Sequence, residues 1–166
     1  SKQKEFVVNL GTKIQAHDRI STIIKYHDSF FVGLMIDGVL ILEKPKGSNE
    51  YQIQPLPINS GVFSLVKDRF QDLIWIATDG QGVYLYSNPL YSIKSVVLSN
   101  YTEKIERPVR ALLLDKERTF WIGTKGNGIL KIYDYEVDKD ISDCRSEVLT
   151  ISNSGLGSNA VYCIKG

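Results

Sequence analysis

With 166 residues, 43% of them apolar and 23% charged, the chain is long enough to bury a core of its own. Its formal net charge of +1, with acids and bases interspersed, leaves no electrostatic footprint for nucleic acid or an anionic membrane, and neither is an expected partner. No apolar run reaches about 18 residues, and the opening Ser1-Lys2-Gln3-Lys4-Glu5 leads into no signal-type stretch, so this segment is not expected to insert directly into a bilayer.

In chain order, residues 5–10 read as a lone strand. Four short apolar runs follow at 20–25, 30–34, 39–42 and 51–54. Four more lie at 62–67, 73–78, 83–86 and 93–98, and another four at 109–114, 120–124, 129–133 and 147–151, before a last one at 161–165. Each run is rich in Val, Ile, Tyr, Trp and Phe and is broken within a few residues by Asp-Gly, Gly-x-Gly or polar turns, too often for an ordinary helix. The second and third sets are copies of one another: Trp75-Ile76-Ala77-Thr78 returns as Trp121-Ile122-Gly123-Thr124, 46 residues later. A weaker copy places Phe31 44 residues before Trp75. Periods in the forties suit paired-helix solenoids or four-stranded propeller blades, and the absence of an amphipathic helix selects blades.

The expected architecture is therefore all-β: a β-propeller fragment of about three four-stranded antiparallel blades, 20–54, 62–98 and 109–151, in one partial domain over 1–166. Single strands of incomplete blades, 5–10 and 161–165, flank it. From the opening Val or Ile to the aromatic the spacing is 11, 13 and 12 residues in successive copies, so a hairpin loop absorbs the variation while the strands keep register. Gly38, Gly80, Gly82, Gly126 and Gly128 fall between second and third strands, where a tight hairpin demands positive φ.

Trp75 and Trp121 have indole faces suited to stacking on sugars, but their recurrence at one blade position favours packing between blades. Tyr84, Tyr86, Tyr133 and Tyr135 lie at or beyond third-strand ends, where amphipathic rings finish a buried strand. The acidic loop 134–143 places Lys139 where a helix-loop-helix calcium site needs glycine, and Arg145 where it needs a bidentate glutamate, which excludes that loop type. An ordinary solvated loop is the reading here, with a less regular calcium site as the alternative. Gly80-x-Gly82 and Gly126-x-Gly128 lack the third glycine of a dinucleotide fingerprint and the lysine of a phosphate loop, and are turns. His17 and His27 are the only imidazoles and stand in no nucleophile motif. Cys144 and Cys163 have no CxxC spacing and are expected as free thiols, although sequence does not report their distance. No catalytic residue, metal site or cofactor is expected.

The unit Val-x-x-Leu, Asp, a short turn, Trp-Ile-Gly-Thr, Gly-x-Gly and an aromatic strand end resembles the two-component regulator propeller repeat. It is strongest over 109–133, good over 62–86 and weak over 20–42, where Phe31 replaces the tryptophan and Leu34 the threonine. Arg118 stands at a turn position usually held by glycine. The stretch 154–161 resembles that family's link between blades. The resemblance implies part of the periplasmic sensor region of a hybrid two-component histidine kinase and response regulator, in a protein of the inner membrane, sensing glycans for polysaccharide utilisation. Implied partners are an oligosaccharide and the remainder of the sensor propeller. Alternatives are a fragment of a propeller-type lyase or glycosidase and a protein-interaction propeller. Which residues bind ligand is not legible, but loops joining blades at one end of a propeller commonly form its binding surface, which points to 56–61, 106–108 and 153–159. Open blade faces should also drive the isolated chain to a homodimer.

Overall fold

A computed structural model describes residues 10, 14–15, 17–87, 92–96, 98, 105, 107–136, 139 and 143–166. Twelve strands run in chain order: β1 Ile20–Tyr26, β2 Ser29–Leu34, β3 Gly38–Glu43, β4 Gln52–Pro55, β5 Val62–Lys67, β6 Leu73–Thr78, β7 Val83–Ser87, β8 Ser92–Val96, β9 Val109–Leu114, β10 Thr119–Thr124, β11 Ile129–Tyr133 and β12 Ser146–Leu149. They form three antiparallel meanders, β1-β2-β3-β4, β5-β6-β7-β8 and β9-β10-β11-β12. These are the three blades, and the expected fold is the observed one. Two fourth strands differ most from expectation: β8 is Ser92–Val96 against the expected 93–98, and β12 is Ser146–Leu149 against the expected 147–151.

Sheets stack face to face, and the alternation of side chains explains how. Phe31, Val39 and Ile41 of the first sheet pack on Leu65, Ile74, Ile76 and Tyr86 of the second. The opposite face of the second sheet carries Leu73, Trp75, Val83 and Leu85 onto Leu112, Phe120, Ile122, Leu130 and Ile132 of the third. The middle sheet is thus covered on both sides, and every residue of β6 is buried. First strands approach one another, β1 to β5 and β5 to β9, so they are the inner strands of the fan.

Buried indoles need a partner for their N–H. Trp75 Nε1 donates to Asp68 at 2.9 Å and Trp121 Nε1 to Asp115 at 2.7 Å. Each aspartate also accepts backbone N–H groups of its own hairpin, from Phe70 and Gln71 in one case and Glu117 and Thr119 in the other. The weak copy lacks tryptophan and aspartate together: Tyr26 stands in the aspartate's place and meets Phe31 edge-on, with ring centroids 5.7 Å apart. Likewise Thr78 and Thr124 donate to the Gly82 and Gly128 carbonyls and accept the Gln81 and Asn127 N–H groups. Leu34 has no hydroxyl to do this, and the side chain of Asp18 takes the Ile36 and Asp37 N–H groups instead. Arg118, at the glycine position of its turn, has φ 63°, and His27 in the corresponding hairpin has φ 52°.

The two flanking strands fare differently. Residues 5–9 lie outside the described residues, while Leu10 and Ile14 pack on the outward face of the first sheet. Residues 161–165 carry no strand, contrary to expectation. Ala160 makes one bridge to Lys125 and Val161 N donates to the Thr124 carbonyl at 2.8 Å, but a strand needs a continuous ladder, and the pairing stops at these two contacts. The segment still reaches the place a next first strand would occupy, with Val161 and Ile164 over Gly123, as Val62 lies over Gly33.

Gly82 and Gly128 sit at φ 75° and 77°, but a Cβ on Gly128 would also collide with the Leu149 carbonyl, whereas at Gly82 the nearest atom is 3.7 Å away. Gly82→Ala is therefore expected to cost about 1–2 kcal/mol of backbone strain and Gly128→Ala clearly more, measured by urea unfolding; equal losses would contradict this geometry. Asp68→Ala leaves a fully buried indole N–H without its acceptor and should cost about 2–3 kcal/mol, while Asp115→Ala, beneath the partly exposed Trp121, should cost less in the same assay.

Candidate functional site

Each inner strand is interrupted after its first residue. Ile20 pairs with Leu34 and Thr22 with Gly33; Val62 pairs with Thr78 and Ser64 with Ala77; Val109 pairs with Thr124 and Ala111 with Gly123. The skipped residues are Ser21, Phe63 and Arg110. A bulge leaves its extra residue outside the ladder and re-aims the side chain, so the fan repeats one irregular position along its inner strands. Its occupants are chemically unlike one another, in contrast to the recurring apolar residues around them.

These side chains reach from blade to blade. Ser21 Oγ donates to the carbonyls of Gly33 and, across the sheet boundary, Val62. The Arg110 guanidinium stacks over the Phe63 ring, 3.5 Å from its centroid, and Nη2 lies 3.5 Å from Asp79 Oδ1. Arg110 Nε is buried without a hydrogen-bond partner. The next equivalent position is Tyr162, which is 63% exposed.

The β2–β3, β6–β7 and β10–β11 turns meet the links between blades at this same end. Ser60 Oγ donates to the Asp79 carbonyl at 2.9 Å and Gln81 Nε2 to the Asn59 carbonyl at 3.2 Å. The Arg107 N–H reaches Asn127 Oδ1 at 3.2 Å, and the Asn159 carbonyl accepts from Gly126 and Gly128. Of the three segments singled out from sequence, 56–61 spends Leu56, Ile58 and Ser60 on burial, leaving Pro57 and Asn59 outward. Glu106 lies outside the described residues, and 153–159 is largely exposed. The structure brings 56–61, 107–108 and 153–159 to one end of the fan. What the sequence reading missed is the bulged row beside them; its only local signal is a polar or aromatic residue directly after the opening Val or Ile.

The other candidates go elsewhere. Trp75 is 0% exposed, its ring 3.9 Å from that of Phe120, and cannot meet a ligand. Trp121 is partly exposed on the outward face of the third sheet, with Lys131 Nζ 4.5 Å from its ring centroid. On that face the Tyr133 hydroxyl bonds Glu147 at 2.8 Å. Tyr133, and next Lys131, hold the Glu147 carboxyl below the usual carboxylate range, while the Tyr133 hydrogen bond raises Lys131 against the opposing effect of burial. Both shifts favour the charged forms, the reverse of what a general acid requires. His27 faces both Asp72 oxygens, at 2.8 and 2.9 Å, at the opposite end of the blades, where Arg118 also meets Glu136 at 3.2 Å. Cys144 and Cys163 are not joined by a disulfide. Among the described residues no His, Cys, Asp and Glu cluster could hold a metal, and no helix is long and apolar enough to cross a membrane; much of the acidic loop, 137–138 and 140–142, lies outside them.

No family model and no curated protein sequence matches the chain. Solved structures do. Two structures of the extracellular domain of BT4673 from B. thetaiotaomicron, described in one case as a one-component and in the other as a hybrid two-component system, are similar with TM-scores of 0.63 and 0.61 at 22% and 21% identity. Each match covers 88% of this chain, and 18% and 19% of the respective structures. PorZ, a surface component of the type-IX secretion system of Porphyromonas gingivalis, is similar with a TM-score of 0.57 at 18% identity, over 89% of this chain and 23% of that one. The chain thus spans about a fifth of each structure it matches. At these identities the likeness establishes the fold.

Proposed function

We propose that this chain is a three-blade piece of an extracytoplasmic sensor propeller belonging to a hybrid two-component regulator, a histidine kinase anchored in the inner membrane with its sensor in the periplasm. In this reading the segment turns over no substrate. It binds an oligosaccharide where the blade links, the second-to-third-strand turns and the bulged inner positions converge, and passes the change in blade packing to the rest of the sensor. The observation that carries the reading is the likeness to the BT4673 extracellular domain over nearly nine-tenths of this chain, joined to a repeat unit that resembles the two-component regulator propeller repeat. Isothermal titration of the chain against a panel of neutral and acidic oligosaccharides is the test: heat with at least one sugar is expected, and silence across the panel would leave a protein-interaction platform. The likeness to PorZ, a surface component of a secretion system, favours that platform as the second reading.

The proposal extends to association. On the outward face of the first sheet, Ile20, Ile23, Phe30, Val32, Leu42, Tyr51 and Leu10 line an apolar groove of ≈ 320 Å³, and Ile23 is 56% exposed. Such a face is the half of a blade interface that the second and third sheets bury. In the parent the remaining blades cover it; the isolated chain covers it by pairing. Light scattering at micromolar concentration is expected to return a dimer, and a monomer would contradict the proposal.

A further inference from the structure

Arg110 is the one guanidinium on the bulged inner row, and its surroundings are unusual for a surface arginine. Its side chain is only 16% exposed, yet its hydrogen bonding is poor: the Asp79 contact, at 3.5 Å, is at the outer limit of a hydrogen bond, and the buried Nε has no acceptor. Guanidinium presents five donors in a rigid planar fork, and a buried donor left unpaired is costly. Phe63 supplies orientation without satisfying any of those donors, since stacking fixes the plane of the fork; the unpartnered Nε is itself buried, so the donors left to meet a ligand are those of the two terminal nitrogens, of which Nη2 has only the long Asp79 contact. Asp79 is 42% exposed and can swing toward water at little cost. Arg118, the other arginine with an unpartnered Nε, differs on these points: it holds Glu136 at 3.2 Å, lies 5.2 Å from the Phe70 centroid and sits at the far end of the blade.

We propose that Arg110 is an anion-binding position, and that it takes the carboxylate of a uronic-acid-containing oligosaccharide at the inner edge of the fan. A carboxylate matches the fork in plane and spacing and can accept two N–H bonds at once. It would displace Asp79 from its long contact, and the stacked guanidinium need not be reordered to receive it. This inference rests on the saccharide-binding reading above and narrows it to acidic sugars.

Titration calorimetry with digalacturonate, with galactobiose as its neutral counterpart and with acetate as a carboxylate without a sugar, tests it. The chain is expected to bind digalacturonate, to bind galactobiose at least about tenfold more weakly and to give no heat with acetate. Arg110→Gln should weaken digalacturonate about tenfold or more, and Arg110→Lys, which keeps the charge but not the fork, should recover only part of that loss. Asp79→Asn, which removes the competing carboxylate, should tighten binding severalfold. That gain is one that a purely structural Phe63–Arg110–Asp79 brace would not produce, and it keeps the test valid even if Arg110→Gln fails to fold. Equal affinity for the acidic and neutral disaccharides, or an Asp79→Asn variant with unchanged or weaker binding, would overturn the anion site. Galactobiose binding that ignores Arg110→Gln overturns it while leaving the saccharide reading intact, whereas silence with both sugars counts against both.

Discussion

The burial of one sheet's aromatic-bearing face under the next sheet's apolar face is the contact on which the rest of the molecule depends. A four-stranded meander has two faces and cannot hide both alone. The middle blade solves this twice, receiving Phe31 and Ile41 on one side and delivering Trp75 and Leu85 on the other. An indole such as Trp75 removes roughly 150–250 Å² from water, worth ~4–6 kcal/mol of transfer free energy before ordering entropy is subtracted. That gain would be eroded by an unpaired N–H, which is why an aspartate in the adjoining hairpin recurs with each tryptophan and disappears with it in the first blade.

The same stacking positions the candidate site. Inner strands converge because the sheets fan from their first strands, and the bulge in each turns one residue out of the ladder. That position is free of the packing demands that make its neighbours alike. Ser21, Phe63 and Arg110 can therefore differ without cost to the blade, and variable chemistry on an invariant frame is how a repeat protein acquires a specific surface. The links between blades are less free: Leu56 and Ile58 are drawn into the core, and the Asn159 carbonyl is committed to Gly126 and Gly128.

The outward faces of the first and third sheets are not equivalent. The first is an apolar groove, the half of the interface that accepts an aromatic row. The third presents Trp121 but has Lys131 where the other blades have Ile41 and Leu85, held among Trp121, Tyr133 and Glu147. Whatever packs there must accommodate a charged pair whose protonation states Tyr133 reinforces on both sides. The bridge at Ala160 and the docking of Val161 and Ile164 over Gly123 cover part of that face.

From the sequence alone came the period, the positions of ten strands to within one residue at each end, the hairpin glycines and the blade count, because strand propensity, turn chemistry and positive φ are properties of a few adjacent residues. It also grouped the links 56–61 and 153–159 correctly at one end, since their place follows from the order of the strands. Tertiary structure decided the remainder. Trp75 and Trp121 carry the same local signature, yet one is buried and the other partly exposed, because exposure depends on whether another sheet lies above the ring. Residues 161–165 have the propensity of a strand and are not one, because a strand exists only as a paired ladder. The meeting of Arg110 with Phe63 and Asp79 joins residues from adjacent blades, and such proximity is written in the packing of sheets and in no local stretch of chain.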